Sequence, residues 1–414
     1  MTARIHRDPV AVTGIGAVSP GGIGAAAMWN TLRRGLSTAA IDDALTRLDG
    51  LRVRISCRVP DFDATTWLDS RPTARRLDRF ASFAVLAARE AISDAALDPT
   101  VWDAQRVGVV MGVGSSSMES WSPEFARLAA GSASKISPHA IPRSLPSSPV
   151  SEIALDLGTR GTTYAVGTAC ASGATAIAQA RKLLNDDDCD IVLCGGAESF
   201  GAMTVACFDQ LRALSRRNTE PAAASRPFDA DRDGFVLGEG AGVLVLERPQ
   251  DALARGVRAR ALIAGTGATC DARHPVAPHP SGDGTARAIE LALRDAGLSP
   301  HEVGHYSAHA TSTGKGDLAE AAAVRRVFND SPPVTALKGT LGHGVGAAAA
   351  FAAVAAIMSL EQGEIPPTAN LDNLDPEADL DIVARTPRPS ASTCAVVGAS
   401  AFGGHNAALA IVSP

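Results

Sequence analysis

Alternation between short β-type runs and alanine-rich helical stretches is the feature of this 414-residue chain that most constrains its fold. Short apolar runs bounded by glycine, proline or charged residues predict buried strands, and longer alanine-rich segments predict helices. Repetition of the two along a whole chain is typical of α/β proteins. The predicted strands are Val10–Thr13, Arg106–Met111, Ile191–Cys194, Gly242–Glu247, Ala259–Thr266 and Ala395–Val397, and the predicted helices are Ala81–Ala96, Ser172–Leu184, Asp283–Ala296 and Gly344–Leu360.

The chain is long enough for two units that each bury a core. A new strand is predicted just after Arg255-Gly256, so we expect one half at residues 1–255 and a second at 256–414. Two segments rich in proline, serine and glycine, Ser137–Val150 and His274–Gly284, predict loops.

Composition narrows the class of protein. The formal net charge is −6 with no long basic run, which gives no support for nucleic-acid binding. The longest apolar run, Gly344–Leu360, is mostly alanine and short for a membrane span, so we expect a buried helix and no membrane association. Seven scattered cysteines without a CxxC pair, and no apolar signal core near Met1, favour the reducing cytoplasm.

Cys170 is the strongest candidate for chemistry. It stands in Val166–Gly173, where a β-type run gives way to a small-residue helix. A helix N-terminus favours the thiolate, the reactive form of cysteine, through its dipole and free N–H groups. A buried structural thiol is the commoner fate of a cysteine, and we assign that fate to the other six.

Two histidines downstream could complete such a site. His309 lies in Ser307–Thr313, and His343 ends Lys338–His343, just before a predicted helix. A cysteine with two remote histidines is a nucleophile with electrophilic and acid/base partners. The helix after His343 would lower its pKa and keep the imidazole neutral, and a neutral imidazole can still donate a hydrogen bond.

Two other patterns imitate metal sites. His301–His305 fits H-E-x-x-H, but that zinc signature needs a helix, and here Pro300 precedes it and Gly304 interrupts it. Asp229–Gly234 imitates the start of a calcium loop, but its twelfth position is Gly240 rather than glutamate. We therefore expect no metal site and interpret the aspartates as a structural turn.

Six segments in order resemble the elongating β-ketoacyl-acyl-carrier-protein synthases, and the closing stretch, Ile365–Thr368 to Phe402–Asn406, looks most like actinobacterial members. This resemblance implies an α/β thiolase-like fold of five layers, αβαβα, with two similar halves. It also implies decarboxylating Claisen condensation with malonyl-acyl carrier protein. The segments are Val10–Gly16, Val166–Gly173, Ala224–Asp229 with Gly234–Gly242, Ser307–Thr313, Lys338–His343 and Phe402–Asn406.

The resemblance also implies roles for individual residues. Cys170 accepts the acyl group, and its N–H and that of Phe402 form an oxyanion hole, with Phe402 also the gatekeeper of the acyl chain. His309 and His343 stabilise the malonyl enolate, and Lys338 tunes the charge around His309. Thr311 and Thr313 bind the phosphopantetheine arm, which the carrier brings, so no other cofactor is implied. The partners implied are the carrier and a second ketosynthase-like subunit, identical or related.

The chain departs from the family at a few positions. Ser400 and Ala401 stand where phenylalanine and glycine are usual beside the gatekeeper, and Ala352 stands where a glutamate partner of Lys338 is usual. Ser115 and Ala140, at the expected base of the acyl pocket, are smaller than the usual isoleucine and phenylalanine. These changes bring loop gating and the electrostatics of Lys338 into question, and they predict a roomy pocket. They make a specialised polyketide-type synthase plausible beside a fatty-acid one.

Arginines cluster in two segments of this otherwise acidic chain. Because carrier proteins are acidic, the clusters predict a docking face, although ordinary solvated or ion-paired arginines are an almost equally good interpretation. The arginines are Arg71, Arg75, Arg76, Arg79, Arg212, Arg216 and Arg217.

Two alternatives remain open at this point. A thiolase shares the fold but needs a second active-site cysteine in a Cys-x-Gly-x-Gly motif, and Cys394 has no such surroundings. A catalytically silent chain-length subunit would lack the nucleophile, whereas this chain keeps Cys170, His309 and His343.

Overall fold

The computed structural model describes residues 8–68, 71–115 and 117–414, without the side chains of residues 71 and 72. The strands are β1 Val10–Ser19, β2 Gly22–Ile23, β3 Ala40–Ile41, β4 Ile55–Ser56, β5 Val107–Gly112, β6 Thr163–Val166, β7 Ile191–Glu198, β8 Gly240–Glu247, β9 Ala261–Cys270, β10 His305–Ser307, β11 Val334–Thr335, β12 Glu364–Ile365, β13 Arg388–Pro389, β14 Cys394–Ser400 and β15 His405–Val412. The helices are α1 Ala25–Arg34, α2 Asp43–Thr46, α3 Ala64–Trp67, α4 Arg71–Arg76, α5 Arg79–Asp94, α6 Met118–Ala129, α7 Ala140–Ser144, α8 Ser148–Leu157, α9 Ser172–Asn185, α10 Ala202–Gln210, α11 Pro249–Ala254, α12 Asp283–Ala296, α13 Gly314–Val327, α14 Lys338–Leu341 and α15 Ala348–Gln362.

The main sheet consists of two halves with the same strand pattern. In the first half the order is β1-β8-β7-β5-β6, and in the second it is β9-β15-β14-β10-β11. In each half the first three strands pair antiparallel and the last three pair parallel. The halves meet where Val10–Val12 of β1 pair antiparallel with residues 261–263 of β9. This repetition confirms the prediction of an α/β fold with two similar halves.

Helices separate and cover the two halves of the sheet. Helices α9 and α15 lie between them, packing on β7 and β14 respectively and on each other. Helix α5 covers the outer face of β1 and β8, and α12 covers the outer face of β9 and β15. The resulting order of layers is the expected αβαβα.

Matching glycines let the outer helices pack closely on the sheet in both halves. A Cβ on Gly14 would lie 2.1 Å from the carbonyl oxygen of Ala91 in α5, and a Cβ on Gly265 would lie 2.1 Å from that of Ala292 in α12. Such distances are far below van der Waals contact, so only glycine permits this approach of helix to strand.

The structure also corrects some sequence predictions. Residues 137–150 are not a continuous loop, because α7 lies within them and α8 begins at Ser148 with a proline in its first turn, where a missing N–H costs nothing. Strand β6 is the β-type run expected before Cys170, whereas strand β15 and helix α13 were not predicted.

The apolar run after His343 is confirmed as a buried helix. Val345–Gln362 is long and apolar enough to cross a membrane by composition, but 83% of it is buried inside the protein. It contains the central helix α15, whose side chains from Ala348 to Ser359 are all buried. Its apolar character is therefore explained by the protein core.

Candidate active site

Cys170 lies where the first half of the sheet meets its central helix. Strand β6 ends at Val166, a 3-10 turn spans Ala169–Ala171, and α9 begins at Ser172. Ala169 has a φ of 48°, a left-handed conformation that costs free energy for a residue with a side chain. The Ser172 hydroxyl accepts from the N–H of Thr168 and donates to the carbonyl of Ala169, which holds this turn in place.

Burial makes Cys170 a thiol rather than a thiolate at rest. The side chain is 8% exposed, and burial raises the pKa of the thiol to about 12. The Lys338 charge and the N–H groups of Cys170 and Phe402 act in the opposite direction, whereas Glu198 raises the pKa further. The expectation of a thiolate at a helix N-terminus is therefore wrong for the free enzyme, because desolvation outweighs the helix dipole.

His343 contacts the nucleophile directly. Its Nε2 lies 3.1 Å from the Sγ of Cys170. Its backbone N–H donates to the carbonyl of Val236, and its carbonyl accepts from the N–H of Gly238, so the ring is carried on a fixed backbone. Burial, followed by the Lys338 charge, lowers the pKa of His343 well below its usual value. The expected neutral imidazole is confirmed, but burial rather than the helix is the main cause.

His309 and Lys338 form the other side of this cluster. The ring of His309 lies 5.4 Å from that of His343, nearly perpendicular to it. Burial and the Lys338 charge lower the pKa of His309 well below its usual value. The Lys338 ammonium donates to the carbonyl of His309. Burial lowers the pKa of Lys338 to about 8, while Glu320 raises it.

Glu320 is a site residue that the sequence reasoning missed. It is 3% exposed and accepts hydrogen bonds from the N–H groups of His309 and Ala310 and from the hydroxyl of Tyr306. The charge of Glu320 raises the pKa of Lys338. Ala352, which stands where a glutamate is usual in the family, is buried and supplies no charge. A single glutamate within the otherwise uncharged run Leu318–Val324 was the signal that could have identified it.

Aromatic rings form one wall of the site. The ring of Phe402 lies 5.9 Å from that of Phe208, which lies 5.3 Å from Phe235, and Phe235 lies 5.2 Å from His343. The N–H of Phe402 is directed at the Cys170 sulfur and lowers its pKa. The structure thus brings the gatekeeper candidate and both proposed oxyanion donors to the nucleophile.

These groups face a cavity of about 500 Å³. Cys170, His309 and His343 line it together with Thr311 and Thr313, whose hydroxyl oxygens lie 3.0 Å apart. Its mouth includes the exposed Arg212 and Lys315. Charged surface residues, two hydroxyls and the nucleophile therefore line one cavity.

A polar chain lines the wall beside the gating loop. The Ser400 hydroxyl lies 2.9 Å from that of Thr285, which donates to Asn406, and the Asn406 amide donates to Asp271. Ser400 thus has polar partners where phenylalanine is usual in the family. Ala401 adopts extended backbone, φ −146°, so glycine is not required there.

Ser115 and Ala140 lie outside the lining of this cavity. Ser115 follows β5 and its hydroxyl donates to Glu198 at 3.0 Å. Ala140 is 3% exposed at the start of α7. A role at the base of an acyl pocket remains a prediction for both.

Most of the proposed docking arginines are held by internal ion pairs. Arg76 binds Glu152, Arg79 binds Glu239 and Arg216 binds Asp209. Arg217 also pairs with an aspartate, Asp233, whereas Arg75 is exposed. The side chain of Arg71 lies outside the described residues. Docking remains a prediction, and Arg212 is the member of the set at the cavity mouth.

Both metal-like patterns have structural explanations. His301 lies in a 3-10 turn and His305 at the start of β10, so the two are not on one helix face. The carboxylate of Asp229 accepts from the N–H groups of Asp231, Asp372 and Asn373 and pairs with Arg226. Its interpretation as a structural turn is confirmed.

Comparisons with known proteins agree with this geometry. Residues 7–252 match the model of the β-ketoacyl synthase N-terminal domain, and residues 260–372 match that of the C-terminal domain. The chain is 39% identical over 414 residues to a 3-oxoacyl-[acyl-carrier-protein] synthase 2 of Synechocystis sp., covering 99% of each protein.

Two solved structures are similar over almost the whole chain. The ishigamide ketosynthase/chain length factor has a TM-score of 0.91 and 35% identity, with 99% of this chain and 100% of that chain covered. A type II polyketide ketosynthase, described in complex with its acyl-carrier protein and bound to the hexaketide, has a TM-score of 0.90 and 29% identity, with the same coverage. This chain belongs to the β-ketoacyl synthase family. It is an acyltransferase of the ketosynthase type.

Proposed function

We propose that this chain condenses an acyl group carried on Cys170 with malonyl-acyl carrier protein, releasing carbon dioxide and giving β-ketoacyl-acyl carrier protein in type II fatty-acid or polyketide synthesis. The observation that carries the proposal is the contact of 3.1 Å between the Cys170 sulfur and His343 Nε2, in a cavity that His309 and the Phe402 N–H also face. This arrangement serves a nucleophile and two developing oxyanions at once.

The first half-reaction transfers the acyl group from the carrier to Cys170. The sulfur attacks the thioester carbonyl while the N–H groups of Cys170 and Phe402 stabilise the tetrahedral oxyanion. His343, which touches the sulfur, takes the thiol proton and returns it to the departing pantetheine thiolate. Because the pKa of the thiol is about 12, proton transfer has to accompany attack.

The second half-reaction makes and uses a carbanion. The malonyl carboxylate leaves as carbon dioxide, and its electron pair forms an enolate whose oxygen accepts hydrogen bonds from His309 and His343. Neutral imidazoles suit this role, since their N–H groups donate without transferring a proton to the carbanion. His343, whose Nε2 accepts the thiol proton in the first half-reaction, has to carry its ring proton on Nε2 in the second. The carbanion attacks the thioester carbonyl, and collapse of the oxyanion releases Cys170 as a thiolate, which takes one proton from solvent to return to the thiol. Every group used belongs to the chain or the substrates, so we propose no cofactor beyond the carrier's phosphopantetheine.

Intact-mass analysis after incubation with a panel of acyl-carrier thioesters tests this function. We expect one acyl adduct per chain, located on Cys170, and its loss on addition of malonyl-carrier. Cys170→Ala, with Cys194→Ala as a matched buried control, separates the nucleophile from a merely buried thiol. An adduct that forms equally in Cys170→Ala would reject the proposal.

The carrier partner is proposed to dock at the cavity mouth. Arg212 and Lys315 are exposed there, and their positive charges suit an acidic carrier. Arg212→Glu should raise the KM for the carrier and reduce its dependence on salt. Arg258→Glu is the control. Arg258 is exposed and lies before β9, at the opposite end of this ten-residue strand from Asp271, which lines the cavity. Equal KM values for the two variants would argue against this docking face.

A second ketosynthase-like subunit, identical or related, is the other proposed partner. Among the described strands β6 pairs only with β5, so it is an edge of the sheet that another chain can extend. Helix α8 packs on β6 and contacts α7, which contacts α6, and these two helices expose Ile141 at 61% and Phe125 at 63%. Ile141→Asp should weaken the oligomer in light scattering, and Leu253→Asp, exposed on α11, should leave it intact. We propose that the assembly works in the cytoplasm.

A further inference from the structure

Glu198, the last residue of β7, is a buried carboxylate beside the nucleophile. It has no solvent exposure. One carboxylate oxygen accepts from the N–H groups of Gly114 at 2.8 Å, Ser115 at 3.1 Å and Gly346 at 3.0 Å. The other accepts from the Ser115 hydroxyl at 3.0 Å. These four hydrogen bonds satisfy a group that would otherwise be costly to bury.

The hydrogen bonds of Glu198 join two segments from different halves of the chain. Gly114 and Ser115 follow β5, whereas Gly346 lies three residues after His343. A Cβ on Gly114 would lie 2.7 Å from the carboxylate, and one on Gly346 would lie 2.9 Å from it. The two backbones therefore pack directly on this side chain.

The Glu198 charge also acts on the nucleophile. The charged or polar groups that act on the Cys170 thiol are Lys338, the N–H groups of Cys170 and Phe402, His343 in contact with the sulfur, and Glu198. A negative charge disfavours a second one nearby, so Glu198 opposes the thiolate that Lys338 favours.

We propose that Glu198 is a positioning residue of the acyl-transfer centre: it clamps the loop after β5 to the segment that carries His343, and its charge adds to burial in disfavouring the thiolate of the resting nucleophile. This role rests on Cys170 being the acyl-accepting nucleophile. Since the thiolate is the form that oxidants and alkylating agents attack, such a charge protects the enzyme between turnovers. The thiol then loses its proton only when a thioester and His343 are both engaged.

Alkylation of Cys170 by iodoacetamide from pH 5.5 to 10 tests the charge. The adduct is measured on the Cys170 peptide by mass spectrometry, because Cys207 and Cys270 are exposed and also react. In Glu198→Gln the amide oxygen can accept the three N–H bonds and the amide nitrogen can donate to Ser115, so the clamp is kept and the charge removed. Ser115→Ala is the matched control that loses one hydrogen bond and keeps the charge.

The expected result depends on pH in a defined way. Burial raises the pKa of Glu198 to about 7, so below pH 6 the wild type lacks the charge and should match Glu198→Gln. Above pH 8 Glu198→Gln should react about tenfold faster, because the negative charge that disfavours the thiolate is gone. Ser115→Ala keeps the charge but loses a hydrogen bond that lowers the pKa of Glu198, so its profile should show the same transition at higher pH. Superimposable wild-type and Glu198→Gln profiles would overturn the role of the charge.

Wild-type protein decides the matter if Glu198→Gln does not fold. Ionisation of Glu198 should then flatten the rise of alkylation rate with pH around pH 7. Lys338 also titrates, near pH 8, so the flattening must persist in Lys338→Met. A unit slope through this range in both proteins would overturn the proposal.

Acyl transfer by Glu198→Ala and Glu198→Gln, which both lack the charge at every pH, tests the clamp. Glu198→Ala should slow transfer from an acyl-carrier at least tenfold relative to Glu198→Gln, and an unfolded Glu198→Ala beside a folded Glu198→Gln supports the clamp equally. Equal rates would reject it. Alkylation needs no carrier, so a wild-type protein that titrates as described but accepts no acyl group would reject the proposed function and not the effect of Glu198.

Discussion

The two halves of the molecule approach the active site by the same backbone path. In the first half β6 is followed by a 3-10 turn, Ala169–Ala171, and then by α9. In the second half β11 is followed by α14, and a 3-10 turn, Val345–Ala347, then leads into α15. Each turn begins with a residue in the left-handed region, Ala169 at φ 48° and Val345 at φ 42°. The fold therefore builds the same strained helix start twice.

The halves differ in what they place at this turn. The middle residue is Cys170 in one half and Gly346 in the other. Gly346 has to be small, because a Cβ on it would lie 2.5 Å from the Gly114 nitrogen, and its carbonyl lies against Gly173 and Gly196. One half thus presents a nucleophile where the other presents bare backbone. The repeated fold determines the position, and the residue type determines the chemistry.

Replacing the nucleophile should give the largest effect. Cys170→Ala should abolish acyl-adduct formation and condensation. The equivalent turn of the second half has Gly346 at its middle position, so it offers no side chain that could accept the acyl group instead. Circular dichroism should show a folded protein. Intact mass and β-ketoacyl product are the measurements, and an acyl adduct on any other cysteine would contradict the asymmetry between the halves.

Replacing either histidine should give the next largest loss of activity, and the two variants should differ in which half-reaction is slowed. Removal of one oxyanion donor costs about 10²–10³ in rate, so His309→Ala and His343→Ala should both slow malonyl decarboxylation by that factor. Only His343 touches the sulfur, so only His343→Ala should also slow acylation of Cys170 appreciably. Wild-type decarboxylation in both variants would remove these roles.

Replacing Glu320, the acidic partner of Lys338, should change the rate of condensation by about tenfold, and the size of the change should depend on pH. The pKa of Lys338 is about 8, and condensation that needs its charge should fall as pH rises through that value. Glu320 raises this pKa, so Glu320→Gln should move the fall to lower pH. The exposed Asp49→Asn serves as a control whose pH profile should not move. Melting temperature should be read alongside, because a buried group left unpaired costs about 1–3 kcal/mol.

The smallest effect is expected from a change at Ala140, which belongs to the first half of the chain but lies outside the lining of the active-site cavity. If Ala140 lies at the base of the acyl pocket, Ala140→Phe should shorten the longest acyl chain accepted and leave short-chain turnover nearly intact. Discrimination should be graded, since one methylene is worth only about 1–3 kcal/mol. A stable Ala140→Phe protein with an unchanged chain-length profile would show that the pocket base lies elsewhere.

The sequence predicted those parts of the site that local pattern encodes. The Cys170 turn, both histidines and Phe402 lie in short motifs and come together as expected. Glu320 was missed because the sequence shows only a lone glutamate in an apolar run, and its role depends on α13 packing beside His309. The ionisation of Cys170 was predicted wrongly, since the helix start is visible in sequence but the depth of burial is not. Strand β15, His405–Val412, was missed because its alanines do not distinguish strand from helix.

Strand β15 has a consequence for how the enzyme is made. It lies between β9 and β14 and pairs with both, although every other element of the described residues precedes it. Until β15 emerges from the ribosome, β9 and β14 have no partner on their facing edges, and exposed edges of this kind favour aggregation. Cys170 is synthesised more than two hundred residues before Phe402. Until residues 402–412 are made, Cys170 has neither the Phe402 N–H nor the strand that joins β9 to β14.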